Sequence, residues 1–118
     1  MNRVQLTAEV VECKPLRYTP AGIPVLELML AHESEVMEGG RSRRVDMTVS
    51  ALAIGDLARS LERTALGKRM QIQGFLAATR KGSSRLRLHI QQAVTLAPVV
   101  QGANDPAGAA PVSGNETD

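Results

Sequence analysis

The stretch RRVDMTVSALAIGDLARSLERTALGKRMQIQGFL, residues Arg43–Leu76, changes its hydrophobic period twice. Val45, Met47, Val49 and Ala51 alternate with Arg44, Asp46, Thr48 and Ser50, the period of two that marks a strand with one buried face. In GDLARSLERTALG, Leu57 and Leu61 then lie four apart, Asp56 can cap the start and Gly67 can end the element, so a helix of about two turns is expected. From Lys68 the period returns to two: Met70, Ile72 and Leu76 alternate with Arg69, Gln71 and Gln73. Gly74 interrupts this strand and marks a bulge or bend.

Working outward, Val4, Leu6, Ala8 and Val10 share one face of a first strand over Val4–Val11, opposite Gln5, Thr7 and Glu9. PLRYTPAGIP holds three prolines and Gly22, so residues 14–24 read as a loop or open hairpin. In VLELMLAHESE, Leu26, Leu28 and Leu30 form the buried face of a second strand, and MEGGRSRR reads as a mobile connection into the third, from about Arg43 to Ala51. After the turn at KGSS, Leu86, Leu88 and Ile90 alternate with Arg85, Arg87 and His89 in a fifth strand. Three strands, a short helix and two strands, with two long Gly-, Pro- or Arg-rich connections, is the order of an all-β, five-stranded oligonucleotide-binding (OB) barrel. An SH3-like barrel is the nearest rival, but it has no natural place for a helix between strands three and four.

The chain has 118 residues, enough for one modest core, and with only Tyr18 and Phe75 as aromatics that core must be aliphatic. The formal charge of +2 averages two unlike segments. Residues 1–97 carry all fourteen Lys and Arg against nine acids, whereas residues 98–118 carry Asp105, Glu116 and Asp118 and no base. We therefore divide the chain into a basic barrel, residues 1–97, and an acidic tail, residues 98–118, whose Pro, Gly, Ala and polar residues lack periodicity and are expected to be disordered. A basic body points to a polyanionic partner, because phosphate contacts supply most non-specific nucleic-acid affinity. The single Cys13 cannot form an internal disulfide, and neither a signal peptide nor an apolar run of membrane-spanning length is present, so a cytoplasmic location is expected.

Catalysis needs convergent groups, and Cys13, His32 and His89 stand isolated in sequence, with no metal-ligand, nucleophile or phosphate-loop motif. No enzymatic activity, cofactor or metal is expected. The informative feature is the placing of the arginines: Arg41, Arg43 and Arg44 enter strand three, and Arg80, Lys81, Arg85 and Arg87 surround the last turn, with Arg85 and Arg87 on one strand face. Both places are rims that OB folds use for single strands. Tyr18 can stack on a base or cover the barrel end. Phe75 shares the outward parity of Gln71 and Gln73, but a bulge at Gly74 flips that parity and puts Phe75 in the core, the reading preferred here. With stacking scarce, binding should rest on charge: about five phosphates neutralised give a log–log salt slope near −3.5.

Several segments resemble the bacterial single-stranded DNA-binding protein superfamily: PLRYTPAGIP, GKRMQIQGFLAATRK and RKGSSRLRLHIQQ. Within it the chain is similar to the primosomal replication protein N (PriB) family, in which NRVQLTAEV, PLR, GIP, QGF and LHIQQ lie in the same order and spacing over about residues 2–97. The resemblance implies a homodimeric OB protein of replication restart that binds single-stranded DNA and the PriA helicase, and possible contacts with other primosome proteins. It points to the hairpin residues Arg80, Lys81, Arg85 and Arg87 and to the loop around Arg41; together with Arg43, Arg44 and, in the first loop, Arg17 and Tyr18, these are the DNA-binding residues expected here. This chain departs where family members can carry aromatics, having Arg41 and Asp46 there. The tail ends NETD without a terminal Phe, so the partner-recruiting tip of general single-strand binding proteins is not carried over. Two rival readings are a general strand-coating protein, which needs more stacking aromatics, and a protein-interaction adaptor with little DNA binding.

Overall fold

The computed structural model describes residues 1–97; the expected tail, residues 98–118, lies outside the described residues. Among the described residues six strands and one helix follow in the order β1 (Val4–Cys13), β2 (Arg17–Tyr18), β3 (Pro24–Glu38), β4 (Arg41–Ile54), α1 (Asp56–Thr64), β5 (Arg69–Ala78) and β6 (Leu86–Thr95). The five long strands close on themselves. β1 pairs with β5 through Val4–Glu9 and with β3 through Glu9–Cys13, β5 pairs with β6, β6 runs parallel to β4 at Ala51↔Leu88 and Leu52↔His89, and β4 pairs with β3. This is the expected OB barrel with its helix between the third and fourth long strands. The two-residue β2 pairs Arg17 with Val25 and Tyr18 with Pro24, making the proline-rich segment the open hairpin that its composition suggested.

The core is aliphatic, as the composition required. Val10, Leu26, Leu30, Ile72 and Leu88 are fully enclosed, and the register sets large residues against small ones, Leu26↔Ala53 and Leu28↔Ala51. Alternating sizes across facing positions let the side chains interdigitate. α1 closes the barrel by burying Ala58 and Leu61, and Ala65 just after it is buried as well. Its N-cap is Gly55 and not Asp56: the chain enters the helix from a backbone bond between the Gly55 N–H and the Pro24 carbonyl, 2.9 Å, leaving Asp56 as the first helical residue, bonded to Arg59 at 3.4 Å.

Two further expectations are corrected here. MEGGRSRR is no mobile connection. Fourteen consecutive pairs, Val25↔Ile54 to Glu38↔Arg41, run β3 and β4 into one long arm, because Gly39 and Gly40 take φ of 61° and 79° and close a two-residue turn whose twist matches the strands. The arm projects past the barrel, so the face that buries Leu26–Leu30 continues outward as His32, Ser34 and Val36 beside Arg43, Val45 and Met47; Val36 and Met47 are exposed.

The second correction concerns Phe75. The irregularity near Gly74 lies in the opposite strand, where Gln73↔Gln92 is followed by Gly74↔Ile90 and Gln91 is the extra residue. β5 therefore keeps its parity: Met70, Ile72 and Gly74 face inward, and Phe75 faces out with Gln71 and Gln73. Gly74 serves close approach, since a Cβ there would land on the His89 carbonyl.

Candidate nucleic-acid interface

The β5–β6 hairpin owes its charge to what the sequence omits. No acid occurs between Glu62 and Asp105, so Arg80, Lys81, Arg85 and Arg87 meet no compensating residue on their own strands. The turn is built by the Ser83 N–H donating to the Arg80 carbonyl at 3.0 Å, with Gly82 at φ 79°, and the Ser83 hydroxyl accepts from the Arg85 N–H at 3.0 Å. Thr79, Gly82, Ser83 and Ser84 line an open depression with Arg80, Lys81 and Arg85. Among the described residues none of these four bases forms an ion pair. Arg85 stands just before β6 and is exposed, whereas Arg87 is half-buried within it with its Nε unpartnered, so the two differ in their access to solvent.

The arm is the opposite case. Residues 33–46 carry Arg41, Arg43 and Arg44 against Glu33, Glu35, Glu38 and Asp46. Arg43 bonds Glu38 at 2.8 Å, and Arg44 bonds Asp46 at 2.8 Å and Glu33 at 2.9 Å, which holds its guanidinium still more firmly charged. Cross-strand partnering of this kind is fixed by the hairpin register and leaves Arg41 as the arm's one base outside an ion pair among the described residues.

Between hairpin and arm lies a sheet face that the sequence did not reveal. The register sets Glu27, Leu52, His89 and Phe75 in one row across β3, β4, β6 and β5. Phe75 and His89 stack with ring centroids 4.9 Å apart and planes 14° from parallel, a π-surface on the outside of the barrel. At the β3 end of the row, Arg17 from β2 donates to one Glu27 carboxylate oxygen at 3.1 and 3.3 Å, and the Lys14 ammonium stands 3.8 Å from the other. The Arg17 hydrogen bond, aided by the charges of Arg87 and Lys14, holds the Glu27 carboxyl below the usual carboxylate range against the opposing effect of burial. A cavity of about 120 Å³ beside it is lined by Glu12, Lys14, Glu27, Met29, Ser50 and Arg87.

Of the residues picked from the sequence, the structure thus brings Arg17 and Arg87 to one carboxylate, leaves Tyr18 exposed on β2, and sets Arg41, Arg43 and Arg44 apart on the arm. It adds Lys14, Glu27 and the Phe75–His89 pair. His32 belongs to the scaffold: its Nδ1 meets the Thr7 carbonyl at 2.7 Å and its Nε2 the Ser34 hydroxyl at 2.8 Å, tying the arm to β1.

A closed five-stranded barrel, plugged by a helix after its third long strand and extended by an arm and a basic hairpin, defines an OB-fold protein of the single-strand binding type. A family model described as "another single-strand binding protein family" matches residues 2–92. The replication restart protein PriB of Bordetella pertussis is 57% identical over 97 residues, spanning 82% of this chain and 91% of that one, and PriB of Nitrosomonas europaea is 33% identical over 90 residues, 76% and 83% of the two chains. The solved structure of PriB from Ralstonia solanacearum matches with a TM-score of 0.73 at 38% identity, over 80% of this chain and 97% of that one. The wild-type single-stranded DNA binding protein of Thermus aquaticus shares the fold at TM-score 0.65 and 22% identity, over 82% of this chain and 50% of its own. The chain belongs to this single-strand binding family, on its PriB branch.

Proposed function

We propose that this chain is a non-enzymatic accessory protein of replication restart that binds single-stranded DNA and helps recruit or stimulate the PriA helicase at stalled forks. The observation that carries the DNA part is the acid-free β5–β6 hairpin, whose Arg80, Lys81 and Arg85 stand exposed and outside ion pairs among the described residues, at the end of the two strands that carry the outward Phe75–His89 stack. Cations free of internal partners can exchange their counterions for phosphates, and a π-surface beside them accepts a base whatever its identity. Arg41 and Arg87 complete the track, and Arg17, Tyr18, Arg43 and Arg44 flank it, with Arg17, Arg43 and Arg44 partly neutralised by their carboxylates. The name borne by the relatives supports the replication-restart context, and the resemblance supports a homodimer acting in the cytoplasm. The barrel, residues 1–97, is the DNA-binding domain in this reading.

A specific observation favours a division of labour over a single DNA face. The arm is charge-compensated and exposes Val36, Met37 and Met47, which suits a protein partner better than a phosphate backbone. The test is a salt-dependent anisotropy titration of oligo-dT against a duplex of equal length, with and without the helicase, alongside native mass. Preferential single-strand binding by a dimer, with helicase enhancing the complex, is expected. A salt slope near zero overturns the DNA reading, and a cooperative tetramer with high affinity favours a general coating protein.

A further inference from the structure

We propose that Glu27 is a built-in stand-in for a DNA phosphate, occupying a cation cluster of Lys14, Arg17 and Arg87 and setting the affinity of the sheet face by competing for it. The inference rests on the DNA-binding reading above and extends it to Lys14 and Glu27, which that reading does not use.

The geometry shows a cluster with more donors than its carboxylate can use. Arg17 spends Nε and one Nη on the same Glu27 oxygen, at 3.3 and 3.1 Å, instead of matching both oxygens in the fork geometry that guanidinium and carboxylate prefer. Lys14 stays 3.8 Å from the second oxygen, beyond hydrogen-bond length, and Arg87 contributes charge while its Nε is buried without an acceptor. A phosphodiester offers two anionic oxygens on a tetrahedral centre and can satisfy donors pointing from three directions, which one planar carboxylate cannot. The site is also open to such an exchange. The Lys14 and Arg17 side chains are 61% and 55% exposed and that of Glu27 is 25% exposed, so the carboxylate can be displaced into water without burying its charge. Position matters as well: the cluster begins the row that ends in the Phe75–His89 stack, so a strand lying across β3, β4, β6 and β5 would place a phosphate at one end and a base at the other.

The experiment is an oligo-dT titration at several salt concentrations with wild-type protein, Glu27→Gln, Glu27→Met and Glu9→Gln. Glu9 lies on β1, exposed and in no ion pair among the described residues, so its substitution reports the change in net charge alone. Both Glu27 variants should bind about threefold more tightly or better at low salt, the size of an exposed charge pair, with a salt slope steeper by about 0.7 for one added phosphate contact. Glu9→Gln should leave the slope unchanged. The proposal is overturned if neither folded Glu27 variant gains affinity, if either weakens binding, or if Glu9→Gln gives an equal gain. Wild-type protein that fails to bind at all refutes the functional reading itself, whereas wild-type binding without a gain at Glu27 refutes only the stand-in.

Discussion

Two triple substitutions remove the same charge from the two places where the sequence clusters its arginines, and the structure makes them unequal. The first is Arg80, Lys81 and Arg85 to Ala in the β5–β6 hairpin; the second is Arg41, Arg43 and Arg44 to Ala in the arm. In the hairpin all three cations are exposed and free of ion pairs among the described residues, so each is available for a phosphate. In the arm only Arg41 is, because Glu38 holds Arg43, and Asp46 and Glu33 hold Arg44. Each neutralised phosphate of a single strand adds about 0.7 to the log–log salt slope, roughly fivefold in affinity at about 0.1 M salt. Counting the exposed, unpaired Arg41, Arg80, Lys81 and Arg85, and leaving out Arg87 because it is half-buried with its Nε enclosed, sets the wild-type slope near −2.8, shallower than the −3.5 expected from sequence. The hairpin variant should lose about 100-fold, close to 3 kcal/mol, and its slope should fall by about 2.1. The arm variant should lose about fivefold and 0.7 of slope. Fluorescence anisotropy with labelled oligo-dT over a salt series measures both. An arm variant that loses as much slope as the hairpin variant would refute the reasoning, since internal ion pairs would then not withhold cations from DNA.

Three further outcomes test other parts of the structure. Phe75→Ala should weaken oligonucleotide binding by about 1 kcal/mol or more while leaving the salt slope unchanged, as expected for loss of stacking and not of charge; a large change in slope contradicts this. Gly74→Ala should destabilise the barrel by about 3 kcal/mol in urea unfolding, because its methyl group meets the backbone of β6 and no side chain can move aside. Burial, with a smaller contribution from Glu62, pushes the Cys13 thiol up, so less thiolate exists at neutral pH than for a free cysteine. Iodoacetamide should therefore label Cys13 slowly near pH 7.5, with the rate climbing only as pH passes the ordinary thiol range, and Glu62→Gln should speed it; labelling as fast as a free thiol would contradict the placement.

The barrel was legible because its strands bury one face each. Val4–Val10, Leu26–Leu30, Met70–Ile72 and Leu88–Ile90 repeat every second residue, a local property that survives without knowledge of the partners. The helix was legible from Leu57 and Leu61, but its cap was misplaced by one residue because a tertiary bond to Pro24 decides where the chain turns. The arm was misread since two glycines and several charges look the same in a flexible loop and in a tight two-residue turn. Only the fourteen-pair register separates the two.

The same division holds for the candidate site. Sequence by itself determined the fold class, the aliphatic core, the basic body and the acid-free run from Glu62 to Asp105, all of which depend on period and composition. Tertiary structure decided which cations are free, that Phe75 points outward against His89, and that Lys14, Arg17 and Arg87 meet at Glu27. Those facts depend on pairing between strands far apart in the chain. A side chain's neighbours across a sheet are set by register, and a single extra residue such as Gln91 shifts them all.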